Sequence, residues 1–331
     1  MPVSEKTIEN YTRLARDLRH RYTRDSDLEP EADWTEFNNW MDRLYATVAP
    51  ATRRAYHAAL VHYQNEHHPE YPAQPVPRGL DNRKAIRETF GRRGPGRKSK
   101  SIPEQTEKAL IEALMKACDS DTGHHSPYNR WAQAFMRAGI AFGLRPSEWR
   151  LARFDATEDG EPVLHVVNAK QSQERAFGPT RTLIISERLL DAVDDQALGA
   201  AQWLISSSFK MTPEEFQVVL DNTAQQLRRI IKACGAPCRL RSKNSITLYT
   251  ARHQFAANAK RAGMSLLEIA ALMGHASTET ASRHYGRRQH GRSGNRLPVR
   301  PHPENVYEVE VIMQQKAERA KTSPDSGFRP M

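Results

Sequence analysis

Apolar residues recur at helical spacing through the first 70 residues, and this pattern predicts three short helices. The first helix covers residues 4–24, and its apolar positions fall three and four residues apart. The second carries an aromatic stripe, which we interpret as core packing, and the third opens at Ala49-Pro-Ala-Thr52. Compact helices with short connections are typical of an all-α module. The stripe of the second helix is formed by Trp34, Phe37, Trp40, Met41 and Leu44.

From residue 102 onward the pattern predicts a second domain that is mainly helical with a small β-sheet or hairpin. Residues 104–118 and 128–142 have the spacing of amphipathic helices. Two β-rich runs, Val163–Val167 and Thr182–Ile185, flank a polar loop and indicate strands. Thr212-Pro-Glu-Glu215 is a capping box that opens a long helix ending near residue 233.

Residues 248–286 predict a run of short helices joined by defined turns. Ser265 and Glu268 form a capping box, in which a hydroxyl and a carboxylate satisfy the free amides of a helix start. Gly274 suits the left-handed turn that ends this helix, which leaves His275 just beyond the helix end. Ser277 is a candidate cap for a last short helix that carries Tyr285.

The region after residue 291 contains an alternating apolar run at 305–313, followed by a polar, helix-like end. Alternation favours a strand, and such a strand would complete the sheet of its own domain.

The net charge of this mainly helical chain indicates a polyanionic partner. The 331 residues carry a net charge of +10, and the isoelectric point is about 9.6. Such a balance is typical of nucleic-acid binding, although a solvated basic surface is the alternative. Eight of the basic residues lie between Asn82 and Lys100 against the single acid Glu88.

This basic stretch is too rich in Gly, Pro and charge to pack a core, so we interpret it as a linker. The predicted organisation is a helical domain at 1–75, a basic linker at 76–101, a second domain at 102–290 and a tail at 291–331. A basic linker can follow phosphates and release counterions, or it can serve as a soluble tether. The candidate DNA-binding side chains of the linker are Arg92, Arg93, Arg97, Lys98 and Lys100.

Several function classes find no support in the sequence. No run of about 18 apolar residues suggests a membrane span, and the first residues lack the apolar core of a signal peptide. Three cysteines are typical of a reducing compartment, so we expect a cytoplasmic protein without membrane partners. Cys234 and Cys238 lack a second pair of ligands at zinc-finger spacing, and we predict no metal site.

Five short motifs, in order along the chain, resemble those of the tyrosine recombinases, the phage integrase family. They are Gly143-Leu-Arg-Pro-Ser-Glu148, then Lys170 at the end of a β-like run, then Arg252-His-Gln-Phe-Ala256, then Gly274-His275, and finally Tyr285. Each motif alone is weak evidence. Five in family order at family-like separations, spanning about residues 145–285, identify the chain as a member.

The resemblance implies a helical core-binding domain and an α+β catalytic domain, with Tyr285 as the nucleophile. Arg145 and Arg252 would bind the phosphate, Lys170 would donate a proton to the leaving oxygen, and His275 would orient or deprotonate the phenol. No ATP or metal cofactor is implied. We expect Arg175 to contact phosphate or solvent, as we do Arg181.

The implied activity is site-specific recombination of double-stranded DNA through a 3′-phosphotyrosine, in integration, excision or resolution of mobile DNA. The implied assembly is a homotetramer on DNA, with accessory DNA-bending proteins as possible partners. The resemblance also makes the tail at 291–331 a candidate for docking on a neighbouring protomer, as an alternative to a strand in its own domain. The alternatives are a topoisomerase or hairpin-end resolvase of the same mechanism, and a DNA-binding protein on this scaffold that has lost cleavage. A metal-dependent nuclease is disfavoured, since no acidic cluster lies near the motifs.

Two positions depart from the family pattern. Tyr249 stands where the family usually has a His three residues before the second Arg, so a phenol with a reference pKa of about 10 replaces an imidazole. At that reference pKa, Tyr249 can bind a phosphate oxygen but is expected to be a poor general base. The nucleophile also falls one residue late, and one residue rotates a helical side chain by about 100°. Either the preceding turn is longer by one residue or the site is altered, and we favour the longer turn.

Overall fold

The chain folds into two compact units, Met1–Gly96 and Arg97–Met331, in a computed structural model. The structure describes residues 5–48, 50–71, 99–119, 126–169, 176–186, 195–240, 245–292 and 297–322. The predicted linker at 76–101 therefore lies almost entirely outside the described residues. No helix in these ranges is long and apolar enough to cross a membrane.

The first unit contains three helices, α1 (Glu5–Ser26), α2 (Trp34–Thr47) and α3 (Pro50–His67). The side chain of Asp33 caps α2 by accepting hydrogen bonds from the backbone amides of Thr35 and Glu36, both at 2.9 Å. The aromatic stripe of α2 forms the core of this unit, as the sequence indicated. The buried residues are Leu18, Tyr22, Phe37, Trp40, Met41, Leu44, Tyr45 and Leu60.

The second unit is mainly helical with one small sheet, which confirms the predicted fold class. Its helices are α4 (Glu104–Asp119), α5 (Tyr128–Phe142), α6 (Asp195–Ser208), α7 (Pro213–Cys234), α8 (Leu248–Arg261), α9 (Leu266–Leu272), α10 (Thr278–His284) and α11 (Pro303–Thr322). Helix α5 buries most of its surface against its neighbours, with Phe135 and Phe142 at 2% and 0% exposure. Such burial places α5 at the centre of the core.

The sheet is antiparallel with the order β1-β2-β3-β4. Its strands are β1 (Arg153–Ala156), β2 (Pro162–Val167), β3 (Thr180–Ile185) and β4 (Val299–Pro301). The sequence pattern found β2 and β3 but missed the outer strands. Strands of three and four residues are too short for alternation to be visible.

The alternating run at 305–313 is helical, so the strand predicted there is wrong. Helix α11 begins at Pro303, whose fixed φ suits the first turn of a helix. Val309 is fully buried and packs with Ala270 and Ala271 of α9, while Val306 and Met313 lie on the same face. Spacings of three and four residues thus outweigh the local alternation, and β4 supplies the strand that closes the sheet.

Most of the predicted turn signals hold in the structure. Ser265 Oγ accepts from the Glu268 amide at 3.1 Å, and the Glu268 carboxylate accepts from the Ser265 amide at 2.8 Å. Thr212 and Glu215 form the second predicted capping box. Ser277 precedes α10, but its side chain makes no capping hydrogen bond, which corrects that expectation.

Cys234 and Cys238 are joined in a disulfide, with their Cα atoms 5.8 Å apart. The cysteine count had suggested a reducing compartment and gave no indication of this pairing. The bond connects the end of α7 to a short 3-10 turn, Ala236–Cys238. Cys118 is a free thiol.

Gly143 ends α5 in the left-handed conformation, with φ 71°. A Cβ at this position would overlap the ring of Phe255 on α8. The glycine therefore satisfies two constraints, a positive φ and a close approach of two helices. The turn it makes leads directly to Arg145.

We predict that Gly143→Ala lowers the free energy of unfolding by more than about 2 kcal/mol, because a left-handed alanine costs about 1–2 kcal/mol before any overlap is counted. Two matched variants separate the contributions. Gly263→Ala has a positive φ but open space, and Gly199→Ala has open space within a helix. Urea unfolding should rank Gly143→Ala as most destabilising and Gly199→Ala as neutral or stabilising. Equal losses for Gly143→Ala and Gly263→Ala would contradict the packing constraint.

Candidate active site

Four turns and helix ends bring the predicted site residues together in the second unit. Arg145 precedes a 3-10 turn, Pro146–Leu151, that follows Gly143. Arg252 lies within α8, His275 follows α9, and Tyr285 follows α10. All four side chains are buried, with 0–5% of their surface exposed. Residues separated by up to 140 positions therefore share one interior site.

Arg252 is fully buried, and protein groups pair each of its nitrogens. Its Nη1 donates to the carbonyl of Gly143 at 2.7 Å, and its Nη2 donates to the carbonyl of Met273. Its Nη2 also lies 3.1 Å from His275 Nε2. Its Nε donates to the Tyr285 hydroxyl at 3.3 Å. Arg252 thus links the helix-ending turns that carry the other site residues.

Tyr285 reaches the site from an extended backbone and not from within a helix. Helix α10 ends at His284, and Tyr285 has φ −108° and ψ 175°. Its hydroxyl lies 3.2 Å from His275 Nε2 and 3.1 Å from the hydroxyl of Tyr249. Helix α10 was expected to carry Tyr285, and the structure corrects this. The extended residue directs the ring into the site.

The segment that carries Tyr285 is fixed to α8 by a lysine. Lys260 Nζ donates to the carbonyl of Ala281 at 2.7 Å and to the carbonyl of Gly286 at 2.9 Å. Gly286 itself has no room for a side chain, since a Cβ would lie 2.7 Å from the carbonyl oxygens of His253 and Lys100. Contacts before and after Tyr285 in the chain therefore fix its position.

Tyr249 lies one turn before Arg252 on α8 and faces Tyr285. Burial raises the pKa of Tyr249, but the Arg252 guanidinium, the hydrogen bond with Tyr285 and Arg145 outweigh it, so the pKa is lowered. Burial raises the pKa of Tyr285. His253 packs its ring against both phenols, at 5.3 Å from Tyr249 and 4.8 Å from Tyr285. The two phenols thus lie at hydrogen-bond distance from each other, and their pKa values are shifted in opposite directions.

Glu148 is a buried carboxylate that bridges three arginines. Its oxygens lie 2.5 Å from Arg145, 2.7 Å from Arg181 and 3.5 Å from Arg252. Burial raises the pKa of Glu148, but these guanidiniums outweigh burial and hold it far below the usual carboxyl range. One negative charge therefore compensates three positive ones inside the protein.

Arg181 is buried, so the expectation of a phosphate contact or solvated charge at this position is wrong. It has 1% exposure and donates from Nε to the carbonyl of Leu272 at 2.8 Å. Its Nη1 donates to the side chain of Asn168. Gly274, with φ 63°, fits against this pair, since a Cβ there would overlap the Asn168 amide. Arg181 thus connects the sheet to the turn that positions His275.

Sequence reasoning missed Glu148, Arg181 and Asn168 as members of the site. Glu148 lies within the quoted Gly143–Glu148 motif, so its presence there was a signal for a role. Arg181 and Asn168 lie on or next to strands, and their sequence surroundings carry no comparable signal.

His275 is held as a neutral imidazole. Burial and the neighbouring Arg252 and Arg145 lower its pKa well below the usual value. Within the described residues, His275 Nδ1 and Arg145 Nε are buried nitrogens without hydrogen-bond partners. Buried polar atoms are rarely left unpaired. These two nitrogens are therefore candidates for contact with a bound anion or water.

Several predicted site residues lie outside the described residues. Lys170 and Arg175 lie between β2 and β3, in a segment that the structure does not describe. The linker residues Arg92, Arg93, Arg97 and Lys98 also lie outside the described residues. Lys100 is described and is exposed. Within the described ranges, no group of three His, Cys, Asp or Glu side chains is placed to hold a metal ion.

We predict that Glu148→Gln lowers the free energy of unfolding by about 3–5 kcal/mol, because three buried guanidiniums lose their counter-charge. Glu161→Gln is the matched control, since its partner Arg300 is about half exposed. Such a surface pair contributes about 1 kcal/mol or less. Chemical unfolding at neutral pH measures both variants. Similar small losses for both would contradict the importance of the buried carboxylate.

The same carboxylate predicts a pH dependence of stability. A carboxyl whose folded pKa is depressed stabilises the protein above its unfolded pKa of about 4.3, and this contribution is lost as the pH falls toward the folded value. Wild type should therefore lose stability below about pH 4 more steeply than Glu148→Gln. Parallel stability curves between pH 5 and pH 2 would contradict this assignment.

The model of the phage integrase family matches residues 104–292, which is more than half of the chain. No curated protein sequence matches it. A lambda integrase tetramer bound to a Holliday junction has a TM-score of 0.54 at 16% identity, covering 89% of this chain and 75% of that one. A lambda integrase(75-356) dimer bound to a COC′ core site has a TM-score of 0.52 at 15% identity, covering 89% and 91%.

At these identities the solved structures establish the fold alone, and the family model covers every described site residue from Arg145 to Tyr285. The chain therefore belongs to the phage integrase family, the tyrosine recombinases.

Proposed function

We propose that this protein is a site-specific DNA recombinase that cuts and rejoins strands through a 3′-phosphotyrosine on Tyr285. One observation carries the proposal. The Tyr285 hydroxyl lies within hydrogen-bond reach of both Arg252 Nε and His275 Nε2, at 3.3 Å and 3.2 Å. A nucleophile beside a guanidinium and an imidazole is the arrangement that attack on a phosphodiester requires.

Arg145 and Arg252 supply the positive charge for this reaction. Attack on phosphorus places additional negative charge on the nonbridging oxygens, and guanidiniums stay protonated while donating two hydrogen bonds each. Glu148 holds both guanidiniums in place at short distance. The unpaired Arg145 Nε and His275 Nδ1 are the donors that a phosphate oxygen would meet.

The remaining steps concern protons. The neutral His275 orients the Tyr285 phenol, since its Nε2 faces the hydroxyl. Lys170, by family resemblance, would donate a proton to the departing 5′ oxygen. The energy of the phosphodiester is kept in the phosphotyrosine, so religation needs neither ATP nor a metal ion.

The partner in this proposal is duplex DNA. The net charge of +10 and the basic residues 82–100 suit a phosphate backbone. The lambda integrase neighbour is a tetramer bound to a Holliday junction. We propose a tetramer on DNA for this chain as well, acting in integration, excision or resolution of mobile DNA with accessory DNA-bending proteins.

A catalytically lapsed DNA-binding protein on the same scaffold is the second candidate function. Two observations favour it, the replacement of the usual His by Tyr249 and the burial of Tyr285 at 5% exposure. A topoisomerase or hairpin-end resolvase would use the same chemistry on one duplex.

We predict that nicked duplex DNA drawn from the sequence flanking the gene traps a covalent complex on denaturing gels, with EDTA present. Tyr285→Phe should abolish the adduct, because it removes the only proposed nucleophile while leaving the ring packing intact. Tyr249→Phe should retain an adduct at a reduced rate. Tyr307→Phe is the matched control, since Tyr307 is 68% exposed.

An adduct that persists in Tyr285→Phe but disappears in Tyr249→Phe would show that Tyr249 is the nucleophile and would contradict the assignment to Tyr285. DNA binding without an adduct in wild type would favour the lapsed scaffold. An adduct that depends on added divalent metal would support a nuclease instead.

A further inference from the structure

The hydroxyls of Tyr249 and Tyr285 form a pair at 3.1 Å, and both side chains are largely buried. They lie on separate elements, α8 and the residue after α10, that Lys260 fixes to each other. A hydrogen bond between two phenols leaves one oxygen as donor and the other as acceptor. The pair can therefore pass a proton between its members without any movement of the backbone.

We propose that Tyr249 acts as the proton acceptor for the nucleophile Tyr285, in the place where the family usually has a histidine. This inference rests on the proposed function, because it assigns a role within the cleavage step. It gives the departure at position 249 a chemical purpose.

The arginines around the pair favour an ionised phenol at Tyr249. Burial raises its pKa, but Arg252 of α8 and Arg145 before the 3-10 turn lower it. His253 packs against its ring, and His275 contacts Tyr285 from the turn after α9. Glu148 is already neutralised by three guanidiniums, one of them Arg181 from the sheet. The pKa of Tyr249 is lowered and that of Tyr285 is raised, so Tyr249 is the phenol that ionises first.

His275 is the other candidate acceptor, and its geometry argues against that role. An imidazole nitrogen has one in-plane lone pair, and a donor nitrogen of Arg252 lies 3.1 Å from His275 Nε2. Protonation of that nitrogen would set two positive groups against each other in a buried site. The ionised Tyr249 oxygen has further lone pairs, and it becomes neutral when it accepts the proton, so no additional positive charge forms beside the guanidiniums.

Tyr249 first loses its proton to solvent. As the Tyr285 oxygen forms its bond to phosphorus, its O–H bond breaks and the proton passes to the Tyr249 oxygen. The bond from phosphorus to the 5′ oxygen breaks, and that oxygen takes a proton from Lys170. In religation the 5′ hydroxyl attacks phosphorus and returns its proton to Lys170, while the bond from phosphorus to the Tyr285 oxygen breaks and that oxygen regains its proton from Tyr249.

The first test needs no DNA, so its result is independent of whether cleavage occurs. Tyrosinate formation in the full-length protein is followed by ultraviolet absorbance as the pH is raised. We expect one tyrosine in wild type to ionise at a lower pH than the other tyrosines, below the reference value of about 10. That first ionisation should be lost in Tyr249→Phe, shifted upward in Tyr285→Phe and unchanged in Tyr307→Phe.

The second test measures cleavage of the nicked duplex carrying a 5′-bridging phosphorothiolate, whose thiolate leaves without a proton. Its pH profile therefore reports the proton of the nucleophile. We expect the rising limb in Tyr249→Phe to move upward by roughly one pH unit. Tyr307→Phe should keep the wild-type profile.

A first ionisation that persists in Tyr249→Phe, or a slower reaction of that variant with an unmoved pH profile, would overturn the proposal and leave Tyr249 a packing role. Absence of an adduct in every protein tested would instead remove the proposed cleavage activity, while the titration would still report which phenol ionises first.

Discussion

The buried carboxylate of Glu148 is the constraint on which the rest of the site depends. Three guanidiniums in a protein interior repel one another, and each loses hydration on burial. A single carboxylate that contacts all three converts this repulsion into a fixed arrangement. Because Arg145, Arg181 and Arg252 come from a turn, a strand and a helix, their common partner also ties these elements together.

The backbone of the turns around this cluster is constrained as tightly as the side chains. Gly143 and Gly274 both adopt positive φ, and both lie against a side chain that leaves no room for a Cβ. Gly143 approaches Phe255, and Gly274 approaches Asn168, which accepts from Arg181. The arginines that contact Glu148 are thus held by helix ends that only glycine can form this closely.

Local capping motifs and the apolar core of the first unit were predictable from the sequence, while the burial of charged side chains was not. The capping boxes at Ser265 and Thr212 are visible because each depends on residues three positions apart. The strand error at 305–313 arose because alternation and helical spacing coexist there, and contact of Val309 with α9 selects the helix. Arg181 looks in sequence like any surface arginine. Its burial depends on Glu148, 33 residues earlier, and on the turn at Leu272.

The two departures from the family pattern are best understood together. A histidine at position 249 would meet Arg145 and Arg252 as a group that gains positive charge when it accepts a proton, whereas a phenolate loses negative charge when it does so. In a site where one carboxylate already compensates three guanidiniums, a second anionic group is electrostatically favoured over another cation. The extended backbone at Tyr285, one residue beyond α10, brings the two hydroxyls to 3.1 Å. The substitution supplies an acceptor suited to this charge balance, and the shifted tyrosine supplies the distance at which that acceptor can act.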